Sequence, residues 1–156
     1  MATRSTIAMR TVDGRITAVY CHWDGYPSNN GAILAEHYTD GNKIAELIGL
    51  GALSSLRPEI GEAHPFNKFE LKEGQVYEEA LYENWCTFYA RDRGEELDVR
   101  VYNDVADWVE NFDMGVEYYY LWNGKEWLVN AYQRKSVNGF PDFERVEDVL
   151  LSVDDE

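Results

Sequence analysis

Cysteine is scarce in this chain: two residues in 156, Cys21 and Cys86. Two thiols make no disulfide framework. Both fall in expected strands, where a buried, reduced thiol behaves as a small apolar side chain. Histidine is limited to His22, His37 and His64. Even counting Asp24, these show neither the His-Glu-x-x-His nor the paired Cys-x-x-Cys spacing of a zinc site, so no metal and no cofactor is expected. A Cys21–His22 nucleophile pair is excluded because adjacent strand residues point to opposite faces. No Gly-rich phosphate loop is present. No apolar run approaches the roughly 20 residues of a membrane span, and Met1–Ser5 leads into a short mixed strand rather than a signal peptide. A cytoplasmic location is the expectation.

Positive charge is also short, with 14 Lys/Arg against 29 Asp/Glu and a net charge of −15. Residues 95–156 carry −11 of this and residues 1–94 only −4. Such a field repels nucleic acid and anionic membrane and attracts basic protein surfaces. Asp98, Asp104, Asp107, Glu110, Asp113 and Glu117 are the candidate partner-binding residues of the acidic half. The alternative is that these carboxylates only keep a small protein soluble. Glu78-Glu79 and Glu95-Glu96 read as solvated faces rather than as a general acid and base, which need close carboxylates with separated pKa values.

Aromatics, by contrast, are abundant: five Trp and eleven Tyr. That is more than one core needs, and such rings are favoured in grooves and interfaces. The length fits a single domain. Asp13-Gly14, between Ile7–Met9 and Ile16–Cys21, predicts a hairpin, and Asn123-Gly124 predicts another between Val116–Trp122 and Lys125–Tyr132. A third hairpin is predicted from Trp85–Ala90 through Arg91-Asp92-Arg93-Gly94 to the alternating Leu97, Val99 and Val101. Helices are predicted over Gly31–Tyr38, from Asp40 to about Leu50, after Asp104, and after Asp142 with Val146, Val149 and Leu150 inward. Residues 57–76 read as an irregular excursion and 152–156 as an acidic tail. The expected fold is α+β: one twisted, mainly antiparallel sheet from three hairpins, with about four short helices packed on it.

The densest polar and aromatic cluster is His22-Trp23-Asp24-Gly25-Tyr26-Pro27. It leaves a strand and enters a helix N-terminus, where free N–H groups can hold an anion. Trp23 and Tyr26 offer stacking faces. The alternative is a packed strand-to-helix turn, with Trp23 in the core and Asp24 bonded to turn amides. Arg4, Arg10 and Arg15 near the first hairpin and Arg91 and Arg93 on a turn would give the loop a local basic pocket suited to a nucleotide phosphate if they converge there. The candidate ligand residues are therefore Arg4, His22, Trp23, Asp24, Tyr26, Arg91 and Arg93. No catalytic residue is assigned.

Arg4-Ser5-Thr6-Ile7-Ala8 and Tyr20-Cys21-His22-Trp23-Asp24-Gly25-Tyr26-Pro27 resemble a family of small, acidic proteins of bacteriophages and prophages. The likeness continues through Gly31–Tyr38, Lys43–Leu56, Cys86-Thr87-Phe88-Tyr89 and Arg91-Asp92-Arg93-Gly94, covering about two-thirds of the chain. It implies a phage accessory protein and transfers no site residues. Three functions compete. The first is a non-catalytic inhibitor that binds a basic surface of a host defence factor through an acidic, nucleic-acid-mimicking face. The second is a binding protein that sequesters a small nucleotide signal. The third is a small hydrolase using His22 and Asp24. Self-association stays open.

Overall fold

The computed structural model describes residues 2–154. In chain order its strands are β1 (Ser5–Arg10), β2 (Ile16–Cys21), β3 (Leu53–Ser55), β4 (Thr87–Phe88), β5 (Arg100–Tyr102), β6 (Tyr118–Trp122), β7 (Trp127–Ala131) and β8 (Glu144–Arg145). The helices are α1 (Ala32–His37), α2 (Gly41–Gly49), α3 (Glu79–Tyr82), α4 (Tyr89–Arg93), α5 (Val105–Asn111) and α6 (Val146–Asp154), with a π-helical turn over Pro27–Gly31. The strands form one open, mixed sheet in the order β4-β3-β2-β1-β6-β7-β8, and β5 pairs with β2. Most pairs are antiparallel, but β1 runs parallel to β6 and β2 parallel to β3.

Local chemistry explains the first elements. Thr11 N–H donates to the Arg15 carbonyl at 2.8 Å, and Gly14, at φ +85°, supplies the left-handed turn residue that joins β1 to β2. Asp40 stands in extended conformation and its carboxylate accepts from Asn42 N–H, so it caps α2. Ile44, Leu47 and Ile48 then fall on one stripe, and all three are buried. Asp104 caps α5 in the same way by accepting from Asp107 N–H at 2.8 Å.

Period-two alternation divides the sheet into two buried faces. Ile7, Val19, Cys21, Tyr120 and Val129 pack under Leu34 of α1, the α2 stripe and Val146 of α6. Ala8, Ala18, Tyr20, Tyr119 and Leu121 face Trp108, Val109 and Phe112 of α5 and the residue that caps it. Trp108 is fully buried, and its indole N–H donates to Thr6 Oγ1 at 3.3 Å. The short α5 covers only part of its face, which leaves the rest of the sheet open beside it.

The structure corrects several expectations. There are two hairpins of the predicted kind, not three. Arg91-Asp92-Arg93 belongs to α4, and Gly94, at φ +80°, is its left-handed C-terminal cap rather than a hairpin turn. β4 and β5 do not pair with each other: β4 bonds to β3, and β5 to β2. There are six helices among the described residues rather than about four, since α3 and α4 are additional. Asp142 does not cap the last helix, because β8 intervenes and holds Glu144 and Arg145 in a ladder with β7. That helix continues to Asp154, so the acidic tail expected over 152–156 is helical in its first part, and residues 155 and 156 lie outside the described residues. No helix among the described residues is long and apolar enough to cross a membrane.

Candidate binding groove

The open part of the sheet beside α5 is assembled by register. Ser5 pairs with Cys21 and Thr6 with Tyr20, so Arg4 and His22 are neighbours on the same face as Tyr20. Glu117 N–H donates to the Arg4 carbonyl at 2.9 Å, which brings Glu117 alongside. Next to Tyr20 lies an open groove of about 650 Å³, with Tyr20, Ala52, Tyr89, Leu97 and Met114 as its apolar surface and Glu95, Glu96 and Asp98 as its acidic wall. Gly51, at φ +86°, is needed here: a Cβ would lie 2.8 Å from Leu97 Cδ1. Outside the groove the Arg4 guanidinium packs across Gly115, 3.1 Å from the place of a Cβ.

Burial raises the pKa of both Tyr20 and Tyr89, so their phenols stay neutral hydrogen-bonding groups at physiological pH. Tyr20 Oη lies 2.6 Å from His22 Nδ1. Burial first, and then the charge of Arg4, lower the pKa of His22. A neutral imidazole whose Nδ1 accepts the Tyr20 hydroxyl proton satisfies this geometry.

The acidic wall is only partly neutralised. Arg100 lies between Asp98 (3.2 Å) and Asp113 (3.0 Å) and over the Phe112 ring. These carboxylates raise the Arg100 pKa, so two acids share one permanent cation. Glu95 shares Arg93 with Glu70. Among the described residues Glu96 has no ion-pair partner. Asp104 and Asp107 serve as hydrogen-bond acceptors at the start of α5, Asp107 also accepting from Asn103 N–H and the Asn111 amide. Glu110 is exposed on the same helix. Asp104, Asp107, Glu110 and Asp113 therefore lie on α5 or at its ends, Glu117 stands apart beside Arg4 just before β6, and Asp98, just before β5, opens directly onto the groove.

The predicted ligand residues divide. Arg4 and His22 are register neighbours beside Tyr20 but do not line the groove, and Trp23, 45% exposed, stands edge-on against the His22 ring at 4.6 Å. Trp23 is thus not in the core. Asp24 takes a left-handed conformation (φ +56°), held through its own carbonyl, which accepts from Asn30 N–H and the Asn29 side chain. Its carboxylate bonds no turn amide. Its one contact is a long one, 3.5 Å, from the half-exposed Tyr26 hydroxyl. Of the N–H groups at this helix start, those of Asn29 and Asn30 are already engaged, with the carbonyls of Tyr26 and Asp24.

Gly25 explains much of the motif. A Cβ there would lie 2.8 Å from both Ser5 Cβ and the Thr3 carbonyl, and the Gly25 carbonyl accepts the buried Tyr120 hydroxyl at 2.6 Å. Behind it the buried Asn30 amide reaches Ser5 Oγ, Cys21 Sγ and the Trp23 carbonyl.

Arg91 and Arg93 do not join Arg4. Arg91 donates to the carbonyls of Ile60, Gly61 and Cys86 and to Asp92, while Arg93 is held by Glu70 and stacks over Phe66. Arg10 and Arg15 lie at the far end of the β1–β2 hairpin, where Arg15 pairs with Asp13, so the nucleotide pocket retains one of its five arginines. Arg91 instead belongs to a buried cluster that spacing did not disclose. The fully buried Asp92 carboxylate accepts from the backbone N–H groups of His64 (3.0 Å) and Phe88 (2.8 Å) as well as from Arg91. Both ring nitrogens of His64 lie 2.9 Å from carbonyl oxygens, those of Pro65 and Cys86. The cluster fastens the 57–76 excursion to α4 and β4. No sequence signal links His64 to Asp92, because neither lies in a motif and only the fold brings them together.

Set against protein-family models, curated proteins and solved structures, the chain matches none.

Proposed function

We propose that the chain is a non-catalytic binding protein, a phage accessory factor in keeping with its sequence resemblance, which occupies a basic surface of a host defence protein in the host cytoplasm. The observation that carries this is the groove beside α5: an aromatic and aliphatic floor under an acidic wall that its few arginines only partly neutralise. A lysine or arginine side chain can lay its methylene stem on Leu97 and Met114, place its charge over Tyr20 or Tyr89, and reach Glu95 or Glu96. The surrounding field of −15 steers such a partner and speeds its approach. The support is for local docking more than for a phosphate-like array, since Asp98 and Asp113 are tied to Arg100. Capture of a nucleotide is the weaker account, because Arg91 and Arg93 are engaged elsewhere.

The test is affinity capture from bacterial lysate with the wild-type chain, a Glu95→Gln/Glu96→Gln/Tyr89→Ala variant, and a Glu36→Gln/Glu46→Gln control altered on exposed positions of α1 and α2. A basic protein retained by the wild type and control, lost from the variant and released by high salt is the expected result. Equal retention by variant and wild type, or binding indifferent to salt, would refute the groove.

A further inference from the structure

The opposite face of the sheet holds a separate pocket of about 300 Å³ between β7, the turn that follows it and α6. Val129 and Val149 give it an apolar lining, and the rings of Tyr118 and Tyr132 stand 5.6 Å apart at its side. Its charged lining is Arg134 together with Asp142 and Glu144, none of which is in an ion pair among the described residues.

The turn that carries two of these side chains is strained and firmly held. Tyr132 and Gln133 are consecutive non-glycine residues in the left-handed region, at φ +57° and +59°. Such a conformation persists only where its surroundings enforce it, and it concentrates at functional sites. Here the enforcement comes from outside the pocket. Tyr132 N–H donates to the Glu117 carbonyl at 2.7 Å, and the Gln133 amide donates to the Val109 carbonyl at 2.8 Å. The buried Asn130 amide donates to the carbonyls of both Arg134 and Asp142, each at 2.8 Å. These bonds hold the Arg134 backbone beside that of Asp142 and set Tyr132 at the pocket while leaving the side chains of all three residues free to line it.

The lining selects its ligand by elimination. Two carboxylates disfavour a nucleotide, and Arg134 disfavours a polycation. A volume at the lower end of ligand pockets admits one small molecule rather than a peptide. We propose that this pocket binds a free aromatic α-amino acid as its zwitterion, the ring against Tyr118, Tyr132 and the two valines, the carboxylate on Arg134, and the ammonium toward Asp142 and Glu144. The site is independent of the groove beside α5.

Nuclear magnetic resonance titration of the full chain tests this, with L-phenylalanine, N-acetyl-L-phenylalanine and L-phenylalanine amide as probes. L-phenylalanine should shift the amides of residues 129–134 and 142–149, and each blocked form should bind about tenfold more weakly, as expected when a charged hydrogen-bond pair is lost. Arg134→Gln should weaken L-phenylalanine to a similar degree. Glu144→Gln, on an exposed residue of a short edge strand, gives a second variant should the first disturb folding. Absence of shifts with L-phenylalanine, blocked forms that bind as well as the zwitterion, or shifts that leave this segment untouched would overturn the assignment.

Discussion

Replacing Asn130 by Asp exchanges one nitrogen for one oxygen in a fully buried side chain and so isolates the role of its amide. The wild-type Nδ2 donates to the Arg134 and Asp142 carbonyls, and Oδ1 is buried with no hydrogen-bond partner. Aspartate removes both donors and turns an acceptor toward two further acceptors. The Arg134 carbonyl keeps the Asp142 N–H at 2.9 Å, so its lost bond costs about 1 kcal/mol, while the Asp142 carbonyl loses its amide donor at about 1–3 kcal/mol, a combined loss of roughly 3 kcal/mol. Against a total stability of about 5–15 kcal/mol, the variant should still fold. With a urea dependence of about 2 kcal/mol/M, its unfolding midpoint should fall by roughly 1.5 M. The loss should also depend on pH. A carboxyl buried against carbonyls has its pKa raised by desolvation, and its neutral form regains one donor. The gap between variant and wild type should therefore be constant above the raised pKa and narrow as pH falls through it toward the ordinary carboxyl value of about 3.9. Urea unfolding followed by tryptophan fluorescence at neutral and mildly acidic pH reads both effects. An unchanged midpoint at neutral pH would show that the Asn130 amide does not clamp the 132–142 loop.

The lowered pKa of His22 means that the folded chain resists protonation there more than the unfolded chain does. Its contribution is therefore complete above about 6.5 and is lost as pH falls through the lower folded value, so the melting temperature should drop over that window by less in His22→Gln than in the wild type. Gly25→Ala forces a Cβ to within 2.8 Å of Ser5 Cβ and the Thr3 carbonyl and should cost about 1–3 kcal/mol in thermal or urea unfolding. An unaffected variant would refute the close approach. Cys21, pushed up to about 12 by burial, and the equally enclosed Cys86 should not react with an aromatic disulfide reagent in the folded protein, and both should react after denaturation. A thiol titrating at once under native conditions would contradict their burial.

Short-range chemistry made part of the fold legible. Asp13-Gly14 and Asn123-Gly124 do join antiparallel neighbours, although Asn123 works through its side chain, which accepts from the N–H groups of Lys125 and Glu126. Asp40 and Asp104 cap the helices they were expected to cap. What failed was non-local. Gly94 carries the same left-handed signal in a helix cap as in a hairpin turn, and only the pairing of β4 with β3 distinguishes the two. Asp142 looked like a cap because nothing local reveals that Arg145 pairs with Leu128. At the groove, the sequence singled out Asp98 as a partner residue, and beside Tyr20 the ligand candidates Arg4 and His22, but Tyr89, Leu97 and Met114 come together with Asp98 only through the fold. Tyr132 and Arg134 carry no motif at all, since their placement depends on Asn130 and on an unusual backbone.

Because β1 is the middle of the sheet, its two edges mature at very different times. Its bonds to β2 can form as soon as the hairpin leaves the ribosome, whereas Ser5 must wait for Tyr118 before its other edge is closed. Synthesis proceeds at about 5–20 residues per second, so that edge stays unpaired in the nascent chain for several seconds. Contacts this distant in sequence also slow refolding. A truncation ending before residue 118 should accordingly leave a sticky, half-made sheet rather than a smaller working protein.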